Sequence, residues 1–465
     1  MRLLLLGFAL VLLGCAENVN SADRIQPYPE NPKYWQYKGE PVLLLGGSKD
    51  DNLFQLPDLK THLDSMAQVG GNYIRNTMSS RKNKGFEIYR FKQLENGTYD
   101  LNQWNDDYWQ RFENLLKWTH ERDIIVQIEV WDRFDYSRDE WLPCPWNPVN
   151  NVNYTYEETG FEPEYPRHPS SDVQPFFHSI PGMQEYQPKY DTFRRYQERY
   201  VDKMLSYSLD YPNVLYCMNN ETSTSPKWGQ YWMQRIRDKA AEKGVEVYVT
   251  DMFDDFWKGE MSEKVELVFS NPDVYDFVDI SQVNSRNFDQ DHWDRLRWLH
   301  QQVGDIPRPL NNTKIYGGGE SSWGSGTNQD GVERFWRHII GGSASARHHR
   351  PNAGCGLNAK AQASIKAARK METLVKAWDI KPHQELLNNR DADEAYLAAS
   401  PGTAYVLYFT DGGSVTVDLS DASGDLNVKW ISVSSGEWGE SSVVSPGQVE
   451  ISAPADGGWV AVLTR

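Results

Sequence analysis

The sequence is poor in the residues that build disulfide frameworks, metal cages or membrane bundles. Only four cysteines, at 15, 144, 217 and 355, stand in 465 residues. No CxxC or HExxH spacing occurs, so a structural or catalytic zinc site has no support. Past the amino terminus three cysteines remain, an odd number that excludes a disulfide framework. Cys217 lies in an apolar strand and reads as a small buried hydrophobe. Cys144 and Cys355 fall in loops on one face of the expected fold, where pairing in an oxidising compartment is open. Basic charge is also short: 48 Lys and Arg against 65 Asp and Glu give a net charge of −17. A surface that acidic repels phosphate backbones and excludes non-specific nucleic-acid binding. Hydrophobic residues make up only 39%, which excludes a multi-span membrane protein. No GxGxxG follows the first strand, so no dinucleotide cofactor is expected, and no metal or other cofactor is implied.

One apolar run is present, Leu3–Leu13 behind Met1-Arg2. It has signal-peptide length and falls short of the ~20 residues that span a bilayer. It ends Leu12-Leu13-Gly14-Cys15, which resembles a bacterial lipobox. Residues 1–14 are therefore read as a lipoprotein leader cleaved before Cys15. Cys15 is read as the acylated residue and 15–30 as a tether. The expected location is the cell envelope, membrane-associated only through that lipid, with plain secretion as the alternative. Aromatics are plentiful: 18 Trp, 25 Tyr and 17 Phe. Flat apolar faces with a polar edge suit sugar rings, and a large aromatic core would use them equally well.

From residue 41 to about 380 strand-like and helix-like periodicities alternate. Eight apolar β-rich runs stand at 41–46, 72–77, 123–131, 213–218, 245–250, 277–281, 314–317 and 339–345, with amphipathic stretches between. Continuous apolar strands separated by helices imply parallel strands covered on both faces, and eight units imply a closed (β/α)8 barrel over 31–384. A Pro-, Trp- and Tyr-rich loop from 132 to 187 follows the third strand and would overhang the catalytic face. Residues 392–465 change character to short alternating runs separated by Gly, Ser, Asp and Pro, the pattern of a small antiparallel β-sandwich.

On such a barrel function sits at the carboxyl ends of the strands. Two carboxylates stand out there. Glu221 follows the fourth strand and two asparagines. Glu320 follows the seventh and three glycines, which allow close backbone approach to a ligand. Two carboxylates facing one cleft suffice to break a glycosidic bond, one as protonated acid and the other as ionised nucleophile or base.

Asn220-Glu221 with Glu320 resembles the acid/base and nucleophile of glycoside hydrolase clan A, retaining enzymes on a (β/α)8 barrel. The stretches Asn31-Pro32-Lys33-Tyr34-Trp35 and Gly39 to Gly47 resemble apiosidase-like barrels. Gly457 to Leu463 resembles the last strand of the collagen-binding-type β-sandwich that often follows them. The resemblance implies Glu221 as acid/base, Glu320 as nucleophile, Arg75 beside the nucleophile and Asn220 on the sugar 2-hydroxyl. The sequence departs from the clan at strand six, which ends Ser281-Gln282-Val283-Asn284 in place of a Tyr or His, and at strand eight, which lacks a Trp.

Other residues carry two readings each. Asp51 either bonds sugar hydroxyls or caps a helix. Trp131 and Asp132 either hold a sugar or pack under the long loop, and Trp323 is the better stacking platform. His348 and His349, with Arg347 and Arg350, either bind a uronate or sulfate group or pair with surface acids. The leading expectation is a retaining glycosidase acting on plant or algal polysaccharide or its oligosaccharides. The alternative is a non-catalytic carbohydrate-binding surface lipoprotein on the same scaffold.

Overall fold

The computed structural model describes residues 23–82, 84–258 and 260–465. The leader, Cys15 and most of the expected tether lie outside the described residues. Eight parallel strands close a barrel: β1 (Leu44–Gly47), β2 (Tyr73–Thr77), β3 (Ile125–Asp132), β4 (Val214–Asn220), β5 (Val249–Thr250), β6 (Val278–Asp279), β7 (Leu310–Asn311) and β8 (Ser345–His348). Three joints rest on few backbone bonds. Asn72 N donates to Leu45 O at 2.8 Å, Asp276 N to Val249 O at 3.0 Å, and Ala344 N to Leu310 O at 3.0 Å. Helices α1 (Leu59–Gln68), α2 (Asp106–His120), α3 (Asp191–Ser208), α4 (Pro226–Lys243), α5 (Glu263–Ser270), α6 (Asp289–Gln302), α7 (Asn328–Ile340) and α8 (Ala359–Glu372) cover the outside. The long strands β3 and β4 are buried throughout, as strands covered on both faces must be.

Two strands begin elsewhere than expected. The seventh begins earlier, at the two-residue β7, and resumes inside the expected run at 314–317, where Ile315 bridges His348 in parallel. The eighth begins at Ser345, because Ile339 and Ile340 end the amphipathic helix α7. A β-branched pair at a helix end carries the same local pattern as a strand start.

The amino-terminal segment is part of the fold from residue 24 onward. Arg24 donates to Leu209 O (3.3 Å) and Tyr211 O (2.9 Å), and Gln26–Pro27 pairs with Trp35–Tyr37. Trp35 is fully buried against Tyr73, Phe277 and Leu44. Its indole donates to Asn311 at 2.8 Å, satisfying the polar edge of a buried ring. Residues 24–27, expected as tether, are thus held to the barrel.

The loop from 132 to 187 is a packed unit of short helical turns around Trp141, Trp146, Phe161, Phe176 and Phe177, all buried. Cys144 and Cys355 are both free and buried. Cys144 lies among the residues of that loop, whereas Cys355 Sγ donates to Asn328 O at the start of α7 at 3.4 Å. The pairing left open by the sequence does not form. Burial pushes both thiols up to about 12, which makes them inert.

The carboxyl-terminal region is an antiparallel sandwich of β9 (Ala395–Ser400), β10 (Ala404–Phe409), β11 (Ser414–Asp418), β12 (Leu426–Ser432), β13 (Trp438–Val444), β14 (Gln448–Ser452) and β15 (Trp459–Thr464). Its chain begins earlier than residue 392: Lys381–Pro382 already pairs with β9 and Leu387–Asn388 with β11. β13, an edge strand of mostly exposed residues, has no apolar alternation to betray it. The sandwich packs on α7, where Trp336 stacks on Tyr408 with centroids 5.7 Å apart, and Arg337 pairs with Asp393 at 2.6 Å.

Candidate active site

A cavity of about 520 Å³ opens at the carboxyl ends of the barrel strands, where barrels of this kind carry their chemistry. Glu221 stands in its wall, one residue beyond β4 and in left-handed backbone at φ 60°. That conformation is strained for a residue with a Cβ, and such strain gathers at functional sites. The carboxylate is held on both oxygens. Oε1 accepts from Lys314 Nζ at 2.7 Å and from the Tyr316 hydroxyl at 3.3 Å, while Arg133 stands 3.6 Å from Oε2. Burial pushes its pKa up, but the Lys314 ammonium and then Arg133 outweigh burial and hold it below the usual carboxylate range. Glu221 is therefore ionised. Lys314 also donates to Asn220 Oδ1 at 2.6 Å, and Asn220 Nδ2 donates to Asp132 at 3.2 Å.

The Arg133 nitrogen near Glu221 also binds Asp254 Oδ2, at 2.7 Å. Asp254 follows β5. Its pKa is raised, first by burial and then by the charge of Glu221, against the pull of Arg133. Two carboxyls on one nitrogen are thus driven apart in pKa, the condition that lets one serve as base or nucleophile and the other as acid.

Across the cavity Asp51 is bound by Arg75 and, at 3.1 Å, by Arg350. Burial raises its pKa, and Arg350 and Arg75 reverse this to hold it well below normal. Arg75 is fully buried and also bonds Glu129 at 2.5 Å. Its carboxylate partners are Asp51 and Glu129, in place of the expected nucleophile.

The structure does not bring Glu320 to Glu221. Glu320 is exposed, does not line the cavity, and has no ion pair or hydrogen-bond partner among the described residues. The glycines before it explain its placement. A Cβ on Gly319, at φ 138°, would lie 2.3 Å from the Asn352 carbonyl, and Ser321 N donates to that carbonyl at 2.8 Å. Gly319 thus packs against the loop after β8, while Gly317 and Gly318 lie against Thr327 and Asn328 at the start of α7. Lys314 instead occupies the cavity wall beyond β7.

Other expected contacts divide. Asp51, Arg75, Asn220, Trp323 and His349 line the cavity. Trp323 is 49% exposed with its ring edge-on to Tyr316 at 5.9 Å, a free face for a sugar. Trp131 is fully buried among Phe176, Tyr200, Trp228 and Trp232 and cannot stack on a ligand. Asp132 caps the turn that follows it through Phe134 N and pairs with Arg81, so it serves the long loop. His348 is buried flat on Phe335 at 4.7 Å, outside the cavity; burial lowers its pKa to about 3. Lys314, Tyr316, Arg81, Arg138 and His168 line the cavity without having been singled out from the sequence. Arg133 and Asp254, beside it, were missed likewise.

These observations define a (β/α)8 barrel carrying a β-sandwich, with an ionised glutamate at the end of its fourth strand. No family model and no curated protein matches the sequence. Solved structures share the fold. One is a glycoside hydrolase family 5 protein from Bacteroides vulgatus ATCC 8482, at TM-score 0.62 and 12% identity, over 95% of this chain and 93% of that one. A second, described as a glycoside hydrolase, has TM-score 0.63 and 12% identity over 96% and 97%. A third is an alpha-amylase from Geobacillus thermoleovorans complexed with acarbose, at 0.53 and 11% over 96% and 97%. Coverage this wide includes the sandwich as well as the barrel.

Proposed function

We propose that the chain is a glycosidase whose reaction takes place in the cavity beyond β4 and β7. Glu221 is the ionised carboxylate and Asp254 the acid that protonates the leaving oxygen. The single observation that carries this reading is the shared Arg133 nitrogen, with Glu221 and Asp254 on it and their pKa values driven in opposite directions. The fold-mates named as glycoside hydrolases support the same reaction class. Glu221 and Asp254 both reach one Arg133 nitrogen, at 3.6 and 2.7 Å, a closeness more in keeping with the ~5–5.5 Å spacing of a retaining pair than with the ~6.5–9.5 Å of an inverting one. Trp323 supplies a stacking face for the sugar.

This reading moves the nucleophile from Glu320 to Glu221. It keeps the expectation of a retaining enzyme acting on plant or algal polysaccharide or its oligosaccharides. The apiosidase-like resemblance and the lipid-anchored envelope location remain part of the proposal on the residues already quoted for them. A second reading, a carbohydrate binder without catalysis, is favoured by one feature: both acids in the cavity wall are held in ion pairs. A polysaccharide screen with reducing-end detection, followed by NMR of the first anomer released, separates the two. The proposal expects new reducing ends and retained configuration. Binding without any cleavage would establish the second reading in its place.

A further inference from the structure

The cavity is cationic inside an acidic protein. Five permanent cations stand in its wall, Arg75, Arg81, Arg138, Lys314 and Arg350, against two acids, Asp51 and Glu221, in a chain of net charge −17. Most of that charge is paired, since Arg75 also bonds Glu129 and Arg133 also bonds Asp254. Asp51 is shared between Arg75 and Arg350, and Glu221 between Lys314 and Arg133. Arg81 has Asp132 and Asp135. Arg138 has no carboxylate partner among the described residues, and Arg350 keeps a buried Nε without a hydrogen bond.

Three guanidiniums also stand around one ring. Those of Arg81, Arg133 and Arg138 lie 5.9, 5.2 and 5.9 Å from the centre of the Phe134 ring. Of these three, Arg81 and Arg133 hold carboxylates, and Arg138 is the one an anion in the cavity would newly pair. Arg138 is held in place by its backbone, at φ 52° with its N–H donating to Tyr165 O at 2.7 Å. The histidines do not add to the positive charge: burial lowers the pKa of both His168 and His349, which stand neutral as hydrogen-bonding groups.

We propose, on the glycosidase reading above, that the sugar taken into this cavity carries an anionic substituent, a carboxylate or a sulfate, bound by Arg138 and Arg350. Both substituents offer the paired oxygens that a guanidinium fork binds in parallel. A neutral sugar would leave the Arg138 guanidinium without an anionic partner.

The test is binding, read independently of cleavage. Calorimetry on the whole protein compares three oligosaccharides at low and high salt: a uronic-acid oligomer, the same oligomer with its carboxyls reduced to alcohols, and a sulfated oligomer. The anionic forms are expected to bind at least tenfold tighter than the reduced form, with the preference shrinking in high salt. The uronate and sulfate arms tell which substituent is preferred. Arg138→Gln and Arg350→Gln, each checked for an unchanged melting temperature, are expected to bring the preference below threefold. Equal binding of charged and reduced forms overturns the anionic inference and leaves the glycosidase reading standing. Tight anionic binding with no cleavage in the wider screen overturns only the glycosidase reading. Binding of none of the three overturns the inference.

Discussion

Lys314 Nζ lies 2.7 Å from Glu221 Oε1, joining the ends of the seventh and fourth barrel strands across 93 residues of sequence. The pair sets the charge state of the carboxylate on which the proposed chemistry depends. Lys314 is almost fully buried, while the Glu221 side chain keeps 21% exposure.

Lys314→Met is expected to destabilise the fold by about 3 kcal/mol at pH 7. This is the low end for breaking a buried pair, because Arg133 and some solvent remain. The sign follows from linkage. Glu221 has a folded pKa below its unfolded value, so its stabilisation is present above the ordinary carboxylate pKa of ~4.3 and is lost as pH falls toward the folded value. Urea melts should therefore show the largest gap between variant and parent at neutral pH, narrowing below about pH 4. A gap that does not change with pH would contradict the pairing.

Activity requires Glu221 ionised and Asp254 protonated. The acid limb of kcat/KM is expected below the ordinary carboxylate range, and the basic limb above the ordinary aspartate value, since burial and Glu221 raise Asp254. Asp254→Asn should remove the basic limb and slow turnover by about 10²–10⁴-fold. A parent profile with its basic limb surviving in this variant would assign that limb to another group.

Trp336 is fully buried and stacks on Tyr408 of the sandwich. Trp336→Ala should lower stability by about 3–5 kcal/mol. Trp438→Ala, at a position 43% exposed on the edge strand, should change it by no more than ~0.5 kcal/mol. Denaturant melts of both variants check the interface. Similar losses in the two would place the coupling between barrel and sandwich elsewhere.

The barrel was legible wherever a strand is long and buried on both faces, as Ile125–Asp132 and Val214–Asn220 are. Glu221 was legible because it follows such a strand. The seventh strand was not. It is two residues long, and the chain after it, Asn312-Thr313-Lys314, is polar yet buried through side-chain partners on other strands. Local pattern cannot reveal those partners. The apolar pattern marks only the later part of that strand, around Ile315, and draws attention to Glu320 and away from Lys314. The three glycines strengthened the error, since a glycine needed for packing against Asn352 and one needed for a ligand look alike in sequence. Trp131 failed for a related reason: nothing in one strand tells a ring aimed at the cavity from one aimed at the outer helices.

The central claim is tested most directly by kcat/KM for Glu221→Gln and Glu320→Gln on whichever glycan the parent cleaves. Glu221→Gln is expected to lose roughly 10³-fold or more, while Glu320→Gln stays within about twofold of the parent, as an exposed carboxylate outside the reacting centre should. The reverse pattern, with Glu320→Gln inactive and Glu221→Gln near normal, would contradict the account.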